Sequence, residues 1–152
     1  MKKIFLILII SMLASCGYEP LYVNKNDFLK NIGNIEKVGN ELINRRIITL
    51  IGIKTESESS KPHTLILNSS KDKVVATKDS SGNVTAYKIS IKIKVSIVNN
   101  NKKSKIIKSK EFNSTFIYNN QEDKFQMSQD IRNIENNLIE SVSEKIIIYL
   151  NS

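Results

Sequence analysis

Tyr87-Lys88-Ile89-Ser90-Ile91-Lys92-Ile93-Lys94-Val95-Ser96-Ile97 is a strict two-residue alternation. Its odd positions are aromatic or β-branched, and its even positions are Lys or Ser. Successive side chains of a strand point to opposite faces, so this stretch predicts a strand with one dry and one wet face. A sheet with one dry face has to bury it, and helices are the usual cover.

Working outward, Asn99-Asn100-Asn101 with Lys102 and Lys103 reads as a polar turn. A further strand is expected from about Lys105 to Tyr118, with Phe112, Phe116 and Tyr118 on one side. Ile107 and Ile117 fall on the other, which predicts a bulge or a less one-sided strand. On the other flank, Ser80-Ser81-Gly82-Asn83 is a turn signal, preceded by a strand from His63 to Ser69 with Leu65 and Leu67 in alternation. Lys71, Lys73 and Lys78 then fall in the segment joining two strands.

Helical spacing brackets these strands. Ile131, Ile134, Leu138, Val142, Ile146 and Tyr149 recur at the 3.6 period, so a helix is expected over about Ser128 to Leu150. Ser128 is placed to cap it, and Asp130 suits its positive end. Ile35, Val38, Leu42, Ile43, Arg46 and Ile47 suggest a first helix from about Asn34 to Leu50, capped by Asn34 and stopped by Gly52. A short strand near Asp27 to Ile32 is a weaker expectation, and Thr55 to Pro62 reads as a polar loop. The fold class that follows is α+β, a two-layer sandwich with two helices packed on one face of a mainly antiparallel sheet of three to four strands.

The N-terminus carries a different kind of information. Met1-Lys2-Lys3 is followed by an apolar run from Ile4 to Ala14, broken only at Ser11. That run is about half of the roughly 20 residues a membrane-spanning helix needs. A charged start, a short apolar stretch and small residues before a cleavage point describe an export signal over residues 1–15. Leu13-Ala14-Ser15-Cys16 has the lipobox pattern: a branched apolar residue, two small residues and a cysteine. Leu13, Ala14 and Ser15 would be read by the signal peptidase, and the Cys16 sulfur would carry a diacylglycerol. Each buried lipid CH₂ contributes about 0.8 kcal/mol, so two or three long chains hold a protein on a bilayer. Gly17 follows the cysteine; an aspartate there tends to retain lipoproteins in the inner membrane, and glycine permits transport to the outer one.

Cys16 is the only cysteine, so an exported chain of this kind has no disulfide and rests on an apolar core. Removal of 15 of the 152 residues leaves 137, enough for one domain over 28–152 behind a tether over 16–27. The net charge falls from +8 to +6 when Lys2 and Lys3 leave. Two readings of the lysine surplus stand: attraction to anionic lipid or acidic polysaccharide, and compositional drift in a sequence crowded with Ile, Lys, Asn and Ser. Export argues against nucleic acid as a partner.

Cys16-Gly17-Tyr18-Glu19-Pro20-Leu21-Tyr22 resembles the start of mature lipopolysaccharide-assembly lipoproteins of the LptE family, in its alphaproteobacterial form. There the lipidated cysteine is followed by Gly, an aromatic, a variable residue and Pro-Leu-Tyr. The order of a first helix, a strand from His63-Thr64-Leu65, a long hairpin from Val84 to Tyr118 ending in Tyr118-Asn119-Asn120, and a terminal helix is similar to the family layout. Val23 to Ile32 is less apolar than the family's first strand. The resemblance implies two helices against a four-stranded sheet and a non-enzymatic role. It further implies a plug within the outer-membrane, LptD-type barrel that inserts lipopolysaccharide, which assists barrel assembly and binds lipopolysaccharide. The implied location is the periplasmic side of the outer membrane, held by the lipid on Cys16, with no cofactor besides that covalent lipid. A free-standing outer-membrane lipoprotein that binds an envelope ligand or polymer is the competing reading.

Lipopolysaccharide presents phosphates and sugar acids, which suit lysine. Two sets offer themselves: Lys71, Lys73 and Lys78 between strands, and Lys88, Lys92 and Lys94 on the wet face. Each set reads equally as a solvated surface. His63 is the single histidine and has no companions at metal-ligand spacing, so no metal site is expected. No Ser-His-Asp order, phosphate loop or close acid pair suggests catalysis. Tyr18 and Tyr22, flanking Pro20, suit either the membrane interface or packing on the barrel wall.

Overall fold

A computed structural model describes residues 31–53, 61–100 and 105–151. The export signal, Cys16, the tether and the start of the Asp27–Ile32 segment lie outside the described residues.

Strand β1 (Ile32–Gly39) leads into helix α1 (Glu41–Ile51); the long strands β2 (His63–Lys78), β3 (Val84–Asn99) and β4 (Lys105–Asn119) follow, and helix α2 (Lys124–Asn151) closes the chain. The sheet order is β1-β2-β3-β4. β1 pairs with β2 in parallel, and the other pairings are antiparallel. The expected α+β arrangement holds, with two helices and a four-stranded mixed sheet. Among the described residues no helix is long and apolar enough to cross a membrane.

The alternation in β3 does what its pattern requires. Ile89, Ile91, Ile93, Val95 and Ile97 are all but fully buried, while Lys88, Lys92 and Lys94 are exposed. Burying each such isoleucine is worth about 1.5–3 kcal/mol, so a one-residue slip of register would expose the whole core. Leu65 and Leu67 stand opposite Ile97 and Val95, and Phe112 opposite Ile93, on the same face. Ile43, Ile47, Ile48 and Ile51 of α1 and Leu138, Val142, Ile146 and Leu150 of α2 complete that core. The register jumps where β4 passes Ile97 and Val98, leaving Ile107 as the extra residue of the expected bulge.

Three boundaries differ from the sequence-based expectation. Residues 34–39 are strand, not helix: β1 pairs with β2 from Ile32 opposite His63 to Gly39 opposite Ser69, with a register shift between Ile32 and Asn34. Ile35 and Val38 are three apart, which a helix face also accepts, but the β-branched pair is spent on a parallel strand. Gly39 at φ +81° ends β1, and Asn40, not Asn34, caps α1, its side chain accepting from the Ile43 N–H at 3.1 Å. Gly52 stops α1 as expected, in the left-handed conformation with its N–H on the Ile48 and Thr49 carbonyls. The second strand does not stop at Ser69 but continues to Lys78, held by pairing with β3. Helix α2 starts at Lys124, because Asp123 rather than Ser128 accepts the first N–H groups, those of Phe125 and Gln126, at 2.9 and 3.0 Å.

Candidate functional site

β1 pairs with β2 only as far as Ser69, so among the described residues the outer half of β2 has β3 as its sole strand partner. This half carries Lys71, Lys73 and Lys78, which therefore sit on a strand and not in a connecting segment. Register decides where they face. Lys71 stands opposite Ile91 and Lys73 opposite Ile89, which puts both on the helix side of the sheet. The Lys71 ammonium accordingly meets the Glu135 carboxylate of α2 at 2.9 Å. The Lys73 ammonium lies 4.2 Å from the Tyr87 ring centroid and 5.6 Å from that of Tyr118. The Tyr118 hydroxyl is buried and finds no hydrogen-bond partner among the described residues. Lys78 ends the strand opposite Val84, beyond a register shift.

Lys88, Lys92 and Lys94 occupy the other face, which no described helix covers. Lys92 is 3.9 Å from Asp72 and stands opposite Ser70 and Asn113. Lys94 stands opposite Asn68 and Glu111, and Lys88 opposite Val74 and Ile117. Ser90 lies between Lys88 and Lys92 and Ser96 beyond Lys94, both buried, and Ser96 shares a 2.9 Å hydroxyl pair with Ser109. This face exposes the three lysines, with exposed Val74 and Ile117 at one end and Ile106 at the other. Lys71 and Lys73 thus lie on the opposite side of the sheet from Lys88, Lys92 and Lys94, and the two lysine sets do not form a single site.

His63 opens β2 between Ile32 and Asn99, its backbone N–H donating to the Asn31 carbonyl at 3.3 Å. Among the described residues no group of three His, Cys, Asp or Glu could hold a metal ion.

Sequence reading missed one feature. Where the C-terminal half of α2 lies along β4, a groove of about 440 Å³ is lined by Lys110, Phe112, Lys145, Ile148 and Tyr149. The rings of Phe112 and Tyr149 meet edge-on at 5.5 Å. Lys108 donates to the Tyr149 carbonyl at 2.9 Å and stands over its ring at 4.5 Å, with Lys110 at 5.5 Å from both rings. Burial raises the Tyr149 pKa. The one sequence signal for this feature is that Lys108, Lys110 and Phe112 share a strand face.

No family model matches the chain, and no curated protein matches it. Its fold is found in solved structures. Rare lipoprotein B from Shewanella oneidensis is similar at a TM-score of 0.57 and 13% identity, over 77% of this chain and 91% of that one. A minor lipoprotein from Acinetobacter baumannii is similar at 0.58 and 10% identity, over 78% and 88%. Lipoprotein B from Nitrosomonas europaea is similar at 0.57 and 10% identity, over 75% and 79%. At these identities it is the fold, two helices on a four-stranded mixed sheet, that the chain shares with bacterial lipoproteins.

Proposed function

We propose that this chain is an outer-membrane lipoprotein that plugs the lipopolysaccharide-inserting barrel, assists its assembly and contributes to lipopolysaccharide transport to the cell surface. The observation that carries the reading is a conjunction. A lipobox at Leu13-Ala14-Ser15-Cys16 runs directly into Gly17-Tyr18-Glu19-Pro20-Leu21-Tyr22, and the domain behind it has a fold shared with bacterial lipoproteins. In this reading the lipid on Cys16 holds the domain at the periplasmic side of the outer membrane, where two or three acyl chains make release negligible. The domain works by shape and charge and catalyses nothing. Its partners are the LptD-type barrel, through packing in the lumen, and lipopolysaccharide, through lysines that meet phosphates and sugar acids.

The decisive experiment is depletion of the protein in its host. Misfolded barrel and lipopolysaccharide stalled in the periplasm are the expected results. Normal barrel levels after depletion would reject the plug role. Purification of the native lipidated protein in mild detergent adds an independent check: co-purification with a large barrel supports the reading, and migration as a lone monomer favours a free-standing lipoprotein.

A further inference from the structure

β4 ends the sheet order, so alternate backbone N–H and C=O groups along it turn away from β3 with no described strand outside them. The groove beside α2 opens along this same edge. Lys108, Lys110 and Phe112 stand opposite Ile97, Val95 and Ile93, so all three are on the helix side, and Lys110 and Phe112 line the groove. Across it, α2 presents Lys145, exposed, and Ile148, 70% exposed despite being a large aliphatic residue. An isolated edge strand and an isolated exposed isoleucine are each ordinary. Their alignment, with an aromatic floor between them, is the arrangement by which a sheet edge and a helix take up an extended peptide.

We propose that this edge binds an extended acidic segment of a partner protein, which adds to β4 as a fifth strand. The edge backbone supplies main-chain hydrogen bonds, and alternate side chains of the added strand point into the groove. Apolar ones meet Phe112, Ile148 and Tyr149, and carboxylates come within reach of Lys110 and Lys145. These two lysines form no salt bridge among the described residues, unlike Lys71 and Lys92. Glu111, on the groove rim, falls on the other face of the strand, opposite Lys94. Charge also argues against a second copy as the occupant: Lys105, Lys108 and Lys110 crowd the edge of a chain that keeps a net charge of +6 without Lys2 and Lys3, and like charges on an edge discourage self-pairing. The same lysines favour an acidic strand. This assignment stands apart from the lipopolysaccharide reading and survives its failure.

The test uses the full lipidated protein in mild detergent and fluorescent peptides read by anisotropy. The probe places serine at every second position and glutamate and valine in turn at the positions between, so that both types share the groove-facing side; one comparison peptide carries lysine for glutamate, and another carries a central proline. The acidic peptide should bind at least about tenfold more tightly than either. The double variant Lys110→Glu/Lys145→Glu, both on exposed positions, should lose about tenfold with an unchanged circular dichroism spectrum, while Lys92→Glu on the opposite face should bind as the native protein does. Equal binding of the acidic and lysine peptides, equal binding of the proline peptide, or an unaffected double variant would each overturn the proposal. So would anionic phosphatidylglycerol vesicles that need Lys110 and Lys145 while the acidic peptide does not bind, since the groove would then be a lipid site.

Discussion

The backbone carbonyl of Ser69 occupies the space into which a side chain on Gly39 would project. Gly39 also has φ +81°, a conformation costly for residues with a Cβ. Ser69 takes part twice more: its carbonyl accepts the Asn40 N–H at 3.0 Å, and its hydroxyl donates to the Asn40 carbonyl at 3.0 Å. The corner where β1 turns into α1 is thus bolted to the middle of β2. Gly39→Ala should lower stability by at least about 2 kcal/mol, from the positive φ and the collision together. Ser69→Ala, which removes only the hydroxyl bond, should cost about 1 kcal/mol. Urea unfolding midpoints of the two variants check the order.

Tyr118 offers a prediction of the opposite sign. Its ring packs against Tyr87 at 5.9 Å and under the Lys73 ammonium, while its buried hydroxyl has no partner among the described residues. Leaving a buried hydroxyl unsatisfied costs about 1–3 kcal/mol. Tyr118→Phe keeps the ring and removes that group, so the unfolding midpoint should rise, by about 1 kcal/mol in stability. A fall would mean that the hydroxyl has a partner in the lipidated protein.

These two sites also show what a sequence can and cannot reveal. The isoleucine alternation of β3 was legible because one face is dry, and a period of two has no helical reading. β1 was not: Ile35 and Val38 suit either element, and the deciding partner, Ser69, lies 29 residues beyond Asn40. The continuation of β2 past Ser69 was hidden for a different reason. Lys71 to Lys78 carry little apolar alternation, since β3 holds them by hydrogen bonds and not by burial. The edge groove was invisible because Lys110 and Lys145 come together only when α2 lies along β4.

The turn between β2 and β3 makes stability depend on pH. The Asp79 carboxylate accepts from the Asn83 side chain at 3.1 Å and from the Ser81 and Asn83 N–H groups at 2.9 and 2.8 Å. Its hydrogen bonds, that of the Asn83 side chain foremost, hold its pKa below the ordinary carboxylate value. A depressed folded pKa gives stability that is present above the unfolded value and is lost as pH falls through the folded one. Asp79→Asn should therefore unfold at lower urea than the native protein at pH 7, and the gap should close on acidification below the ordinary aspartate range. A gap that stays constant with pH would assign the effect to shape and not to charge.

The last prediction follows from the proposed function and concerns which face of the sheet would meet lipopolysaccharide. On the helix side, Lys71 is engaged by Glu135 and Lys73 lies over Tyr87, so both already serve the fold. On the open side, Lys88, Lys92 and Lys94 share one strand face, and their neighbours Asp72 and Glu111 are too few to neutralise them. Exposed Val74 and Ile117 beside Lys88 suit the apolar part of an amphiphile. Replacing Lys88, Lys92 and Lys94 with Ser should weaken lipopolysaccharide binding by the purified protein about tenfold or more, since a hydrogen bond to a charged group is worth about 1.5–3 kcal/mol. Replacing Lys71 and Lys73 with Ser should instead lower the unfolding midpoint, by freeing α2 from β2, and leave binding nearly unchanged. Because the sheet separates the two sets, a reversed result would move the binding surface to the helix side, and equal losses from both would mean that bulk positive charge, and no particular face, attracts the lipid.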